Sequence, residues 1–326
     1  MENLKSQVSD INTKIRDFVN DSTIKKTNIF AKKHDGDWNQ FCAALDTIGD
    51  TCLAVEGFQR DQSDFVKNPY LTTYGILQAL FIQQDSVNYL KTALFGKDKK
   101  IDWSSNKYSE LAKIRQLRNE TIGHPVKTEK KRGKSKYMDG EVSSCMIDRS
   151  SLSKEGFSYM LWMSSGTETK HVKFSDVLNA QNQNLSAELE AILKELQKEE
   201  KEHKVKFKGE KLADILNARS LYEINLIYGV HWDDHLAWPS FDHYHERYKK
   251  IRAGLESRYG KFGTILRIPG TEEVVKKLDY VFSKIEGFKI SRKFDDYEFE
   301  VYVDALDAGL KELKTHLEEI DKEFEI

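Results

Sequence analysis

The sequence predicts a mainly α protein: a helical bundle with a small antiparallel β insertion, followed by a C-terminal helical module. Three observations predict it. Only 4 prolines and 18 glycines occur in 326 residues, so few positions break a helix. Apolar residues recur at spacings of three and four over long stretches. Between residues 143 and 174 that period gives way to three short runs with strand character. Hydrophobic residues make up 39% and aromatics 11%, which excludes a disordered chain.

The elements follow in order. Residues 1–33 read as helical, with Val8, Ile11, Ile15 and Phe18–Val19 on the helical period. Asp35-Gly36-Asp37 breaks the chain, and Asp37 caps a second helix reaching Arg60, with Phe41, Leu45, Ile48, Cys52 and Val55 inward. Asn68-Pro69 opens a third helix, since proline suits a first turn, where its missing N–H has no partner anyway. That helix continues through Leu77, Leu80, Val87 and Leu94 and stops at Gly96. A fourth starts near Ser104–Ser105 and carries Tyr108, Leu111, Ile114 and Leu117. Gly123 suits the left-handed position after a helix, and Pro125 pushes His124 toward extended geometry.

Lys127–Gly140 reads as a polar basic loop. The runs Ser143–Asp148, Phe157–Met163 and His171–Phe174 form an antiparallel meander. A long helix follows from Asp176 to about His203, its end charged all round and solvated. The expected domains are 1–207, with the β insertion at about 137–175, and 208–326, a regulatory or partner-binding module. The second contains helices over Leu212–Tyr228, Phe241–Tyr259, Glu272–Ile285 and Asp295–Phe324, with a hairpin over Phe288–Tyr302 as the alternative to its last boundary.

Composition narrows the function classes. No apolar run approaches the ~18 residues of a membrane span. No signal peptide is recognisable at the N-terminus. The three cysteines, Cys42, Cys52 and Cys145, form no CxxC, which argues against a disulfide framework and fits a reducing cytoplasm. The formal charge is −2, yet Lys97 to Lys136 holds 13 Lys/Arg against 5 Asp/Glu. A basic segment on an otherwise acidic chain suggests a local anion site.

One stretch carries chemistry: Leu117-Arg118-Asn119-Glu120-Thr121-Ile122-Gly123-His124-Pro125. Arg118 and His124 are six positions apart. On an unbroken helix they would differ by about 600° and face apart. The Gly-His-Pro ending lets the chain turn and bring them together. Arginine offers a planar fork of donors to phosphate oxygens, and histidine moves protons near neutral pH. The six basic residues Lys127, Lys130, Lys131, Arg132, Lys134 and Lys136, opposed only by Glu129, are placed to contact an RNA backbone; the bland alternative is a solvated loop. Equally, Arg118 has a bland reading as a surface ion pair with Glu110 or the neighbourhood of Glu120, and His124 as a residue favoured by the helix dipole.

The stretch resembles the Rx4–6H motif of the HEPN superfamily, here Arg118-x5-His124 with the polar Asn119 beside the arginine. The resemblance covers roughly residues 1–207, because HEPN domains are helical bundles with this motif near the end of a central helix. It implies metal-independent RNA cleavage with no cofactor, by a homodimer whose two Arg/His pairs line one cleft. His124 would act as general acid/base on the ribose 2′-OH or the leaving 5′-oxygen, and Arg118 would stabilise the phosphorane. Asn119 would orient the phosphate or the histidine. The products would carry 2′,3′-cyclic phosphate, and DNA, lacking the 2′-OH, would be spared. The family also implies a toxin or anti-phage effector, restrained by a partner or antitoxin at the C-terminal module. Some HEPN toxins carry a modified tyrosine two residues after the histidine; Val126 stands there instead. Many HEPN domains are catalytically silent, so a non-catalytic adaptor binding a protein or nucleotide is the alternative.

Other motifs are weaker. His231 and His235 share a helical spacing near Asp242, His243 and His245, but no HExxH is present and Pro239 separates the groups. Trp232, Trp238, Phe241 and Tyr244 read instead as anchors for a packing or partner surface. There is no GxGxxG, GxxxxGK[ST] or GxSxG.

Overall fold

The computed structural model describes residues 6–21, 29–30, 35–60, 62–123, 142–163, 166–216, 224–231, 234–262, 270–292 and 295–325. The chain divides into two compact units, Met1–Phe18 with Asp35–Glu195 and Val19–His34 with Leu196–Ile326. The protein is mainly helical, with one small antiparallel sheet. Among the described residues no helix is long and apolar enough to cross a membrane.

In the first unit, α1 (Gln7–Asn20), α2 (Asp35–Arg60), α3 (Gln62–Lys67), α4 (Pro69–Phe95) and α5 (Ser109–Arg118) pack with the first part of α6 (Phe174–Phe207). The caps of α4 fall where the sequence places them, at Asn68 and at Gly96, whose φ of 92° no side chain favours. Inward positions such as Ile15, Leu45, Leu77, Leu80, Leu111 and Leu189 are fully buried. A polar seam crosses this core. Gln84 donates to Gln181 at 2.8 Å, Gln181 donates to Gln83 at 3.0 Å, and Gln83 donates to the Cys52 sulfur at 3.4 Å. These amides bond one another across α2, α4 and α6, as buried polar groups tend to, although Gln84 Oε1 itself finds no partner among the described residues. Burial, and then Glu56, pushes the Cys52 thiol up to about 11, so it behaves as a small apolar side chain.

The sheet is the expected meander, in the order β1 (Val142–Ile147), β2 (Gly156–Met163) and β3 (Gly166–Lys173). Phe157, Tyr159 and Leu161 face inward. Gly156 is obligatory: a Cβ there would lie 1.9 Å from the Val172 carbonyl oxygen.

In the second unit, the end of α6, α7 (Asn225–Tyr228), α8 (Asp234–Tyr259), α9 (Thr271–Ser291) and α10 (Asp296–Lys322) enclose an aromatic core. Four expectations change here. Leu212–Tyr228 is not one helix among the described residues but a 3₁₀ turn over Ala213–Leu216 and the short α7. The Ala213 N–H bonds the Asp321 carboxylate at 2.8 Å, which ties this turn to α10. The end of α6 is not solvated all round: the His203 ring contacts Phe207 and Phe324, and Phe207 is buried. The helix expected over Phe241–Tyr259 starts earlier, at Asp234, so Pro239 lies inside α8. The alternative hairpin is absent among the described residues, since α9 runs to Ser291 and α10 starts at Asp296.

Candidate functional site

The site grows from the end of α5. Leu111, Ile114 and Leu117 turn one face of that helix into the core. Arg115 and Arg118, one turn apart, therefore share another face, which lies along α4. Both guanidiniums meet the same aromatic ring, with Cζ 4.1 Å (Arg115) and 4.5 Å (Arg118) from the centre of Phe81.

Their partners differ. Arg115 donates to Asp85 at 2.8 Å and is neutralised there. Arg118 donates through Nε at 3.0 Å and Nη2 at 2.8 Å to Gln78 Oε1, and through Nη1 at 3.0 Å to Asn119 Oδ1. Both acceptors are neutral amides, and Arg118 has no carboxylate partner among the described residues. The bland surface pairs do not form: Glu110 takes Lys113, and Glu120 takes Gln116 and Tyr159. A guanidinium carries five N–H donors, so two remain for a ligand.

After Arg118 the helix widens into a single π turn, Asn119–Gly123. The Thr121 hydroxyl donates to the Leu117 carbonyl at 2.7 Å, a back-bond that loosens and bends helices. Glu120 anchors the turn to β2 by accepting from Tyr159 at 2.9 Å. Gly123 is not left-handed, contrary to expectation. The π turn replaces the left-handed ending, and the glycine makes room instead: a Cβ at 123 would lie 2.6 Å from Arg118 Nη1, so the guanidinium would have to shift from this position. The missing side chain leaves the space the guanidinium fills.

The structure thus joins Arg118 and Asn119, with Asn119 holding the arginine. His124, Lys127, Lys130, Lys131, Arg132, Lys134 and Lys136 lie outside the described residues. Nothing in the sequence pattern marks Gln78, Phe81 or Gly123 as neighbours of Arg118. Gln78 does leave a signal, as a polar residue interrupting an apolar helix.

The remaining candidates resolve differently. Trp238, Phe241 and Tyr244 anchor packing rather than a partner surface: they are buried in the second core, where α9 and α10 cover that face of α8. Trp232 lies outside the described residues. His235 is almost fully exposed, Asp242 pairs with Lys289, and His245 stacks on Phe282 at 4.7 Å. Among the described residues no three His, Cys, Asp or Glu side chains gather as a metal-binding group.

Three comparisons place no known protein beside this chain. No protein-family model matches it. No curated protein matches it, and no solved structure does.

Proposed function

We propose that the chain is a metal-independent endoribonuclease of HEPN type, with Arg118 as the phosphate ligand and His124 as the general acid/base. The observation that carries this reading is the state of Arg118. Its guanidinium is fixed in direction by Gln78, Asn119 and Phe81, yet its charge meets no carboxylate among the described residues. A pre-oriented cation with spare donors suits the charge that builds on a phosphorane. His124 follows six residues later in the sequence, and the basic run from Lys127 to Lys136 adjoins it as backbone contact.

In the proposed reaction His124 accepts the 2′-OH proton while that oxygen attacks phosphorus. The 5′-oxygen leaves with a proton supplied by a general acid, and a 2′,3′-cyclic phosphate results. The partner reading also belongs here. The outer side of α4 exposes Leu71, Tyr74, Ile82 and Tyr89 around Gln78. A second copy across that side would set two Arg118/His124 pairs in one cleft. A toxin or anti-phage role, with a restraining partner at the C-terminal unit, is part of the same proposal.

The test is RNA cleavage in excess EDTA by wild type, His124→Ala and Arg118→Ala at equal folded concentration. Cleavage by wild type alone, leaving cyclic phosphate ends, is the expected result. Equal cleavage by all three would overturn it, and RNA binding without cleavage would favour the adaptor.

A further inference from the structure

A second feature of the first unit lies on the other side of α5. A cleft of about 430 Å³ separates β3 from α5 and α6. Its helix side is formed by Ile114, Leu117, Val177 and Ala180, with Tyr159 beneath. The strand side is β3, the last strand of the sheet, with no neighbour beyond it among the described residues.

The direction of the β3 backbone groups follows from β2. The Ser158 carbonyl accepts from the Asp148 N–H at 2.9 Å, and the Ser158 N–H donates to Ser151 Oγ at 2.7 Å. Ser158 thus spends both backbone groups on the side away from β3. Its register partner is His171. In an antiparallel ladder such a pair makes no mutual bonds, and the pattern alternates. Tyr159–Lys170 and Phe157–Val172 hold the strands together, while Thr167, Thr169, His171 and Lys173 point their N–H and C=O outward. His171 and Lys173 line the cleft. The cleft therefore has the outward N–H and C=O of His171 and the outward N–H of Lys173 on one wall and apolar side chains on the other.

We infer that this cleft binds an extended, acidic peptide segment of a partner protein, which adds to β3 as a fourth strand. Strand addition supplies the affinity through main-chain bonds, and alternate side chains enter the apolar wall. Charge selects the occupant. Among the lining residues three lysines, Lys113, Lys170 and Lys173, face two carboxylates, Glu110 and Asp176, an excess of one positive charge, with Lys113 held by Glu110. Lysines on an edge strand also deter pairing of two identical edges. A second copy would bring the same lysines, so an acidic segment fits better. The inference does not rest on Arg118 or on RNA cleavage.

The experiment uses the full chain and a fluorescein-labelled octapeptide, Glu-Val-Glu-Leu-Glu-Val-Glu-Leu, read by anisotropy. A version with lysine for every glutamate is the charge control. His171→Ala and His171→Pro both remove the imidazole that meets Ser158 Oγ at 2.8 Å, but only proline removes the outward N–H. The expected result is saturable binding by wild type and by His171→Ala, a loss of about tenfold or more in His171→Pro, and no binding of the lysine version. Lys170→Glu with Lys173→Glu is expected to weaken the acidic probe. Should His171→Pro not fold, octapeptides N-methylated on alternate residues replace it, since only one alternate set can abolish binding. Absence of wild-type binding, or indifference to both proline and N-methylation, would overturn the inference. So would a dimer, seen by sedimentation, that His171→Pro dissolves and the probe competes away, because the edge would then belong to a second copy.

Discussion

The two units each fix one arginine in place, and they do so in opposite ways. In the second unit Arg258 is fully buried. It bonds Asp321 at 3.0 Å, donates to the Glu210 carbonyl and lies 4.6 Å from the centre of the Phe324 ring. Asp321 spends its other oxygen on the Ala213 N–H. The charge is balanced, and the pair ties together three distant stretches of chain. In the first unit Arg118 has an aromatic ring and hydrogen bonds of similar quality, but its acceptors are amides and it is half-buried. Its neighbour Arg115 shows that a carboxylate is compatible with the same surroundings. A balanced arginine holds a fold together; an oriented one without its counter-charge is kept for something that arrives.

The largest effect is expected from breaking the balanced pair. Arg258→Ala strands the Asp321 carboxylate in the core and should cost about 4 kcal/mol, read as a lowered midpoint in urea. Arg258→Met, which keeps apolar bulk but also strands Asp321, should recover little unless combined with Asp321→Leu. If Arg258→Ala unfolds no more easily than wild type, the structural reading of this arginine is wrong.

Next comes Arg118→Ala. Stability should move by no more than about 1 kcal/mol, because the side chain is half-exposed and its partners reach water. RNA cleavage should fall about 100-fold, the scale of one lost charge-stabilising donor at a transition state. Arg118→Lys should not restore it, since an ammonium cannot hold Gln78 and Asn119 in the same fork. A large loss of stability with little loss of cleavage would reverse the roles of the two arginines.

The smallest effect concerns a carboxylate in the first unit that does have its counter-charges. Glu188 is buried on α6 and accepts from Lys91 at 2.6 Å, Lys107 at 2.7 Å and the Tyr108 hydroxyl at 2.9 Å. Burial pushes its carboxyl up, but these three donors together outweigh that and hold it below the ordinary 4.5. A depressed carboxyl stabilises the fold above its unfolded value and loses that contribution as pH falls through its folded value. Glu188→Gln should therefore cost about 2 kcal/mol at pH 7, with the gap from wild type closing on acidification below 4.5. Parallel curves down to strong acid would show that Glu188 is not titrating as described.

Local signals made much of this fold legible. The caps of α4 were written in Asn68-Pro69 and Gly96, and β2 nearly matches the expected Phe157–Met163, whereas β3 starts at Gly166, five residues before the expected His171. What escaped was set at long range. Nothing near Leu212 announces that Asp321 will claim the Ala213 N–H. The aromatic run at Trp238 has the same pattern whether a partner or α9 and α10 cover it. At the candidate site Arg118 and Asn119 stood out by type, but Gln78 lies 40 positions from its arginine, and only folding brings them together.

The empty position at Gly123 has an evolutionary consequence. Because a Cβ there would lie 2.6 Å from Arg118 Nη1, a side chain at 123 requires the guanidinium end to move, whereas shortening residue 118 requires nothing of Gly123. Lineages of this protein should drift at 118 and 123 as a pair: where arginine persists, glycine is held in place with it, and where 118 becomes short, 123 is released to alanine or serine. A side chain appearing at 123 would thus accompany or follow a shortened residue 118.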